Sequence, residues 1–212
     1  MNADHLKQMF QSVADALSDQ REYLGELDAV AGDGDLGVTM STGFTAVAQE
    51  FSDSEEDDIG KVLLAAAQTL NRTSPSTIGT LFATALLRAG KQAMGRTEVT
   101  ALDWADLIEA ARQGIEARGK AKQGDKTVLD ALVPAEEAWK RIAASGGSLS
   151  ECAKAALEAA REGVEATRAL TPKIGRASWL KEQSTGQPDP GAAALVVILA
   201  GVVGYLDKED II

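Results

Sequence analysis

Apolar side chains recur every three or four residues along most of this chain. Leu6, Met9, Phe10, Val13 and Leu17 make one stripe, which predicts a first helix over residues 3–24. A second helix is predicted to start near Val38. A third covers residues 59–71, after an acidic turn over residues 52–58. Residues 72–79 break the period with Thr73, Ser74, Pro75, Ser76, Thr77 and Gly79, and a fourth helix is expected over residues 80–94. Thr100 and Asp103 form a capping pair for a fifth helix that runs to Arg118, with Gly119 as its stop. Asp125 is a candidate cap for a sixth helix over residues 127–144, which Pro134 should kink or interrupt. Ser148 and Glu151 open a seventh helix to residue 170, and Asp189 followed by Pro190 opens an eighth. No alternating strand pattern competes. The reading is all-α: eight antiparallel helices in a single domain over residues 1–212, with no internal repeat or linker. The connection over residues 171–188 is long for a compact domain, and loops of that length are usually functional or disordered.

Composition narrows the function classes. Aromatic residues are only 4% while alanine is abundant, which favours packing of small residues between helices. The net charge of -11 repels nucleic acid and anionic membranes, so neither is expected as a partner. Cys152 is the single cysteine, which excludes an intrachain disulfide and makes a cytoplasmic setting the default. The start lacks the pattern of a secretory signal. The most apolar run, residues 191–206, is shorter than a membrane helix needs and is expected to be a core helix. His5 is the single histidine and is expected at the surface, which argues against Ser-His-Asp or Cys-His chemistry.

The densest candidate chemistry lies between Leu27 and Met40, where Asp28, Asp33 and Asp35 alternate with Gly32, Gly34 and Gly37. Crowded carboxylates repel unless a cation compensates them, and their oxygens suit hard cations such as magnesium. A solvated acidic turn capping a helix is the competing reading of the same spacing. Residues 119–127 approach a phosphate-binding P-loop pattern, but Asp125 intrudes before Lys126 and no strand precedes the segment. The acidic loop also fails as an EF-hand, since Phe44 stands where the bidentate Glu belongs. In an up-and-down bundle alternate loops emerge at one end. The loops after the first, third, fifth and seventh predicted helices are the ones rich in Asp, hydroxyls, glycine and basic groups, including Arg176, Ser178, Lys181 and Asp189.

The ordered motifs resemble the nucleotide-binding L subunit, or L domain, of dihydroxyacetone kinases. They are Asp28 with Gly-Asp-Gly-Asp at 32–35, Gly79-Thr80-Leu81, Arg118-Gly119-Lys120, Gly124-Asp125-Lys126-Thr127 with Asp130 and Pro134, Gly175-Arg176-Ala177-Ser178, and Asp189-Pro190-Gly191-Ala192. The resemblance implies an eight-helix barrel with ADP or ATP at one end. It implies that Asp28, Asp33 and Asp35 hold two magnesium ions, and that Gly37, Val38 and Thr39 approach the phosphates. Thr77, Ile78 and Gly79 would form a second phosphate loop, with Gly119 and Val128 near the nucleoside. Arg176, Asp189, Pro190 and Gly191 would close the site, with Arg176 as the candidate catalytic residue.

The acceptor would be dihydroxyacetone or a related ketose held by a separate K subunit. The donor would be a phosphoprotein of the sugar phosphotransferase system or exchanging ATP, and a homodimer is left open. Two positions depart from the family pattern: Leu36 stands where His is common, and Ile78 where a Ser usually precedes the glycine. A nucleotide-sensing regulatory protein without transfer activity is the alternative.

Overall fold

The structure, a computed structural model, describes residues 1–30, 32–179 and 184–208, with the side chain of Arg176 outside that description. The described residues fold into α1 (Ala3–Asp19), α2 (Arg21–Ala29), α3 (Leu36–Glu50), α4 (Ile59–Thr73), α5 (Thr77–Ala93), α6 (Ala101–Gly119), α7 (Leu129–Ala144), α8 (Leu149–Ala166) and α9 (Pro190–Lys208). Short 3₁₀ turns lie at Thr167–Ala169 and Arg176–Trp179. No strand is present among the described residues.

Local chemistry accounts for most of the boundaries. Asp58 caps α4 by accepting from the Lys61 amide, and Ser76 caps α5 by accepting from the Gly79 amide. Both predicted capping boxes form, Thr100 with Asp103 at α6 and Ser148 with Glu151 at α8. Four readings change. The helix expected over residues 80–94 opens at Thr77, so Thr77, Ile78 and Gly79 form its first turn rather than a loop. The first predicted helix is two, broken at Gln20, because the stripe positions three and four residues after Leu17 fall on the polar Gln20 and Arg21. Pro134 does not interrupt α7, which runs through it. Gly119 is the last helical residue of α6, and Lys120 takes the left-handed position after it with φ of 52°.

The helices pack in chain order. Setting α2 aside, each of the other eight touches the next, and α9 returns to pack on α1. Every helix of this ring contributes to the lining of an apolar interior cavity of about 200 Å³, with Phe10, Phe44, Phe82, Trp104, Leu132 and Leu199 among its walls. Small residues bring the helices close. A Cβ added at Gly163 of α8 would overlap the Asp130 carbonyl oxygen of α7. That is the carbonyl which Pro134, lacking an N–H, cannot satisfy. By length and composition α9 could cross a membrane, but half of that span is buried in the fold, with Ala192, Ala194 and Leu206 almost fully enclosed. His5 is half-buried rather than exposed, and its Nδ1 has no hydrogen-bond partner.

Candidate functional site

Asp28 sits in the last turn of α2, while Asp33 and Asp35 lie in the turn that leads into α3. The three carboxylates each offer an oxygen, and these oxygens lie within 4.8 Å of one another. Asp28 is half-buried; Asp33 and Asp35 are exposed. The Gly34 amide donates to Asp28 Oδ2 at 2.9 Å, and Gly34 has φ of 76°, which a glycine adopts without strain. A Cβ at Gly32 would come within 2.8 Å of Asp28 Cγ, so only glycine lets the turn pass beside that carboxylate. The negative end of α2 and three acidic groups both favour a cation here, and the donor set is all oxygen. The residues present therefore fit a hard divalent ion.

The positive end of α3 faces the adjoining space. Asp35 precedes it without a side-chain cap bond, so the Leu36, Gly37 and Val38 amides begin a helix that lacks carbonyls to receive them. This is a natural anion site. Val38 is 43% exposed and stands at its rim. Gly37 has a packing role as well: a Cβ there would overlap the Arg21 carbonyl oxygen, so glycine allows the first turn of α3 to lie against α2.

The turn between α4 and α5 is tied to this end. Buried Ser74 donates from Oγ to the Thr39 carbonyl at 2.8 Å. The α5 start offers Thr77 and Ile78 as its first two residues, whose amides have no intrahelical carbonyl to reach. Gly79 differs from them, because its amide is already engaged by Ser76 Oγ at 3.0 Å. Its lack of a side chain serves the close approach to the Ser74 carbonyl.

The other two loops arrive beside Ile78. A Cβ built on Gly191 would be 3.0 Å from Ile78 Cδ1, 3.2 Å from Asp189 Oδ1 and 3.7 Å from Val128 Cβ. Gly119 is further along the same wall, against Leu81. Asp189 accepts from the Ala192 amide at 2.8 Å, as the cap of α9, and its own amide donates to Thr167 Oγ1. Burial pushes the Asp189 carboxyl up to about 7; Asp130 adds to the rise, while the Ala192 amide and Lys126 oppose it. Pro190 follows as the first residue of α9. Arg176 begins the second 3₁₀ turn, and its side chain and Lys181 lie outside the described residues. Trp179, at the end of the same turn, is 88% exposed.

Lys126 stands four residues before Asp130, a spacing that suits an ion pair on a helix, yet its ammonium donates to the Leu170, Ser184 and Gln187 carbonyls. Asp130 instead accepts from the Gly124 amide at 2.6 Å and from the Thr127 amide at 2.7 Å, organising the start of α7. Asp125 does not cap that helix; it accepts from the Lys122 amide and pairs with Lys173 at 3.1 Å. The spacing of Thr127 and Asp130 is a capping signal that could have been read from the sequence. The partners of Lys126, 44 to 61 residues away, could not.

A family model described as the DAK2 domain matches residues 30–204. The chain belongs to the DAK2 domain family. Among its DAK2 relatives, the ADP-binding subunit DhaL of a PEP-dependent dihydroxyacetone kinase from Escherichia coli is 32% identical, over 87% of this chain and 88% of the relative. An L-erythrulose kinase from Pectobacterium atrosepticum is 36% identical over 88% of this chain, but the match spans only 32% of that protein. The chain thus spans about a third of the length of the erythrulose kinases it matches and nearly all of the DhaL subunit. The crystal structure of the dihydroxyacetone kinase of C. freundii in its native form superposes with a TM-score of 0.74 at 23% identity, covering 96% of this chain and 34% of that one. The same kinase in complex with AMP-PNP and Mg2+ gives 0.70. At this identity the likeness speaks to the fold, and the DAK2 helical arrangement is the one described above.

Proposed function

We propose that this chain is the nucleotide-binding subunit of a kinase that phosphorylates a small hydroxyketone, with the hydroxyketone held by a separate K-type subunit. The observation that carries this reading is the meeting of Asp28, Asp33 and Asp35 between the negative end of α2 and the positive end of α3. Cation ligands and anion-binding amides side by side suit a metal-bound polyphosphate. The family supports the same reading. The relatives this chain covers over most of their length are named as ADP-binding subunits, and the longer ones as erythrulose kinases and triokinase/FMN cyclases.

In this reading Asp28, Asp33 and Asp35 hold two magnesium ions, a number that suits three carboxylates facing a polyphosphate. Magnesium, when bound, supplies charge neutralisation for the phosphoryl group in transfer. The Gly37 and Val38 amides at the start of α3 and those of Thr77 and Ile78 orient phosphate oxygens, while Thr39, whose amide is bonded to the Asp35 carbonyl, approaches through its side chain. Ile78, Val128, Gly119 and Gly191 wall the nucleoside and exclude water, while Asp189 and Pro190 fix the start of α9 beside them. Gly79 serves through the shape it permits. Arg176 steadies the charge that develops on the transferring group. Phosphoryl transfer needs positioning and electrostatics more than a covalent intermediate, so a chain with one remote histidine is adequate to the task.

For the donor we favour a phosphoprotein of the sugar phosphotransferase system that recharges bound ADP, because the relatives covered over most of their length are PEP-dependent. A second reading, ATP exchange with a tetrulose as acceptor, draws on the erythrulose kinases at 35–38% identity. The test is to purify the chain with magnesium, identify any retained nucleotide by mass spectrometry, and titrate ADP calorimetrically. Tight magnesium-dependent ADP binding is expected, followed by phosphate transfer to dihydroxyacetone or erythrulose once a K-type subunit is added. No ADP binding in the presence of magnesium would rule the kinase reading out. Binding without transfer to any K-type subunit would favour a nucleotide sensor.

A further inference from the structure

Lys126 is a lysine where none is expected to be comfortable. It is 4% exposed and holds a left-handed backbone with φ of 61°, a region that residues other than glycine rarely occupy. Its ammonium is spent on main-chain carbonyls: Leu170 at 3.2 Å, Ser184 at 2.7 Å and Gln187 at 2.9 Å. Leu170 lies where the α8–α9 connection begins, and Ser184 and Gln187 lie where it ends. One side chain therefore grips both feet of a long loop. A second lysine answers from the loop itself. Lys173 donates from Nζ to the Gly124 carbonyl at 2.8 Å and to Asp125 Oδ1 at 3.1 Å, and from its amide to the Asp125 carbonyl at 3.2 Å. Residues 122–128 are thus laced in both directions to residues 170–173 and 184–187.

We infer that Lys126 is a positioning residue of the nucleotide site: with Lys173 as an outer strap, it locks the α6–α7 and α8–α9 loops into one wall and so holds Asp189 and Gly191 against Val128 and Ile78. The geometry explains why a cation is used. Three carbonyls at the two ends of a loop cannot bond to one another, since all are acceptors, and a buried ammonium with three donors satisfies them together. Val128 is two residues beyond Lys126 and Asp189 two beyond Gln187, so the wall of the site is set by the strap at both sides. Asp189 also lies close enough to feel the charge of Lys126. Lys126 itself touches none of the candidate phosphate-binding amides, and its action is through the loops.

This inference rests on the nucleotide-binding reading, and its test separates the two. Lys126→Met keeps the length of the side chain and removes the charge; Lys173→Ala removes the strap whose side chain is 58% exposed and should fold normally. Hydrogen exchange without nucleotide reports on the strap alone, at the Lys173, Gly186 and Asp189 amides, which bond to the Asp125 carbonyl, the Arg168 carbonyl and Thr167 Oγ1. Release of a fluorescent ADP loaded with magnesium reports on the site. Ser148→Ala, a cap lost at the α7–α8 turn, serves as a variant of lowered stability whose defect lies outside both loops.

Lys126→Met is expected to speed exchange at these amides and to release the nucleotide at least about tenfold faster, in line with the loss of a charged hydrogen-bond cluster. Lys173→Ala should do the same to a smaller degree, and Ser148→Ala should leave release unchanged. Unchanged exchange in both lysine variants would overturn the strap. Faster exchange with unchanged release, or release that merely tracks the melting temperature across all three variants, would overturn the positioning role. If Lys126→Met does not fold, Lys173→Ala decides by the same two measurements. A wild-type chain that binds no ADP would defeat the functional reading, and with it the positioning role, while exchange would still decide whether the strap exists.

Discussion

Asp189→Asn should make the protein less sensitive to rising pH. The Asp189 carboxyl titrates at about 7 in the folded chain against 3.8 for an unperturbed group, because burial and the Asp130 charge disfavour its ionised form. The sign follows from linkage. Between the two values the folded state holds a proton that the unfolded state has released, so stability falls as pH rises through this window. The stabilising share is fully present below about pH 4 and is lost by about pH 8. At about 1.36 kcal/mol per pKa unit, the part lost between about pH 5 and pH 8 is about 2–3 kcal/mol. Asn is neutral throughout and keeps an oxygen for the Ala192 amide, which Asp189 accepts at 2.8 Å. The attraction to Lys126 acts only on the ionised carboxylate and is already contained in the folded value, so it adds no separate contribution. Urea unfolding of both proteins, without nucleotide, at about pH 5 and pH 8 gives the comparison. The stability of the variant relative to wild type should rise by about 2–3 kcal/mol between the two conditions. Parallel pH profiles would refute the reasoning, because they would mean that Asp189 ionises in the folded chain as it does in water.

Three further outcomes are expected. Asp33→Asn changes an exposed side chain, so stability should stay within about 0.5 kcal/mol, while magnesium-dependent ADP affinity measured by calorimetry should drop at least about tenfold; retained affinity would remove Asp33 from the metal site. Arg176→Ala should slow phosphate transfer to a K-type subunit far more than it weakens ADP binding, and equal losses in both would contradict a role in steadying transferring charge. Gly163→Ala should cost about 1–3 kcal/mol in urea unfolding, because its Cβ would overlap the Asp130 carbonyl at the α7–α8 contact; a change below about 0.5 kcal/mol would show that the two helices separate easily.

The sequence by itself determined the helical class, both capping boxes, and the starts of α4, α8 and α9, since these depend on apolar period and on cap residues within one turn of each other. It also marked Asp28, Asp33 and Asp35, which lie within eight residues and are drawn together by one glycine-rich turn. The break at Gln20 was visible only as a polar gap in an otherwise continuous stripe, and it took the burial of Leu24 and Leu27 in α2 to redirect the chain. Tertiary structure alone decided the rest. Gly37 and Gly79 look alike as phosphate-loop glycines, yet each is required where one backbone meets another, Gly37 at the Arg21 carbonyl and Gly79 at that of Ser74. The titration of Asp189 follows from burial and from Asp130, 59 positions earlier in the chain. Lys126 reads locally as half of an ion pair, and only the folded chain brings it the Leu170, Ser184 and Gln187 carbonyls. Local patterns carry information over about one helical turn. A wall built from four loops is set by contacts tens of residues apart, and no periodicity records them.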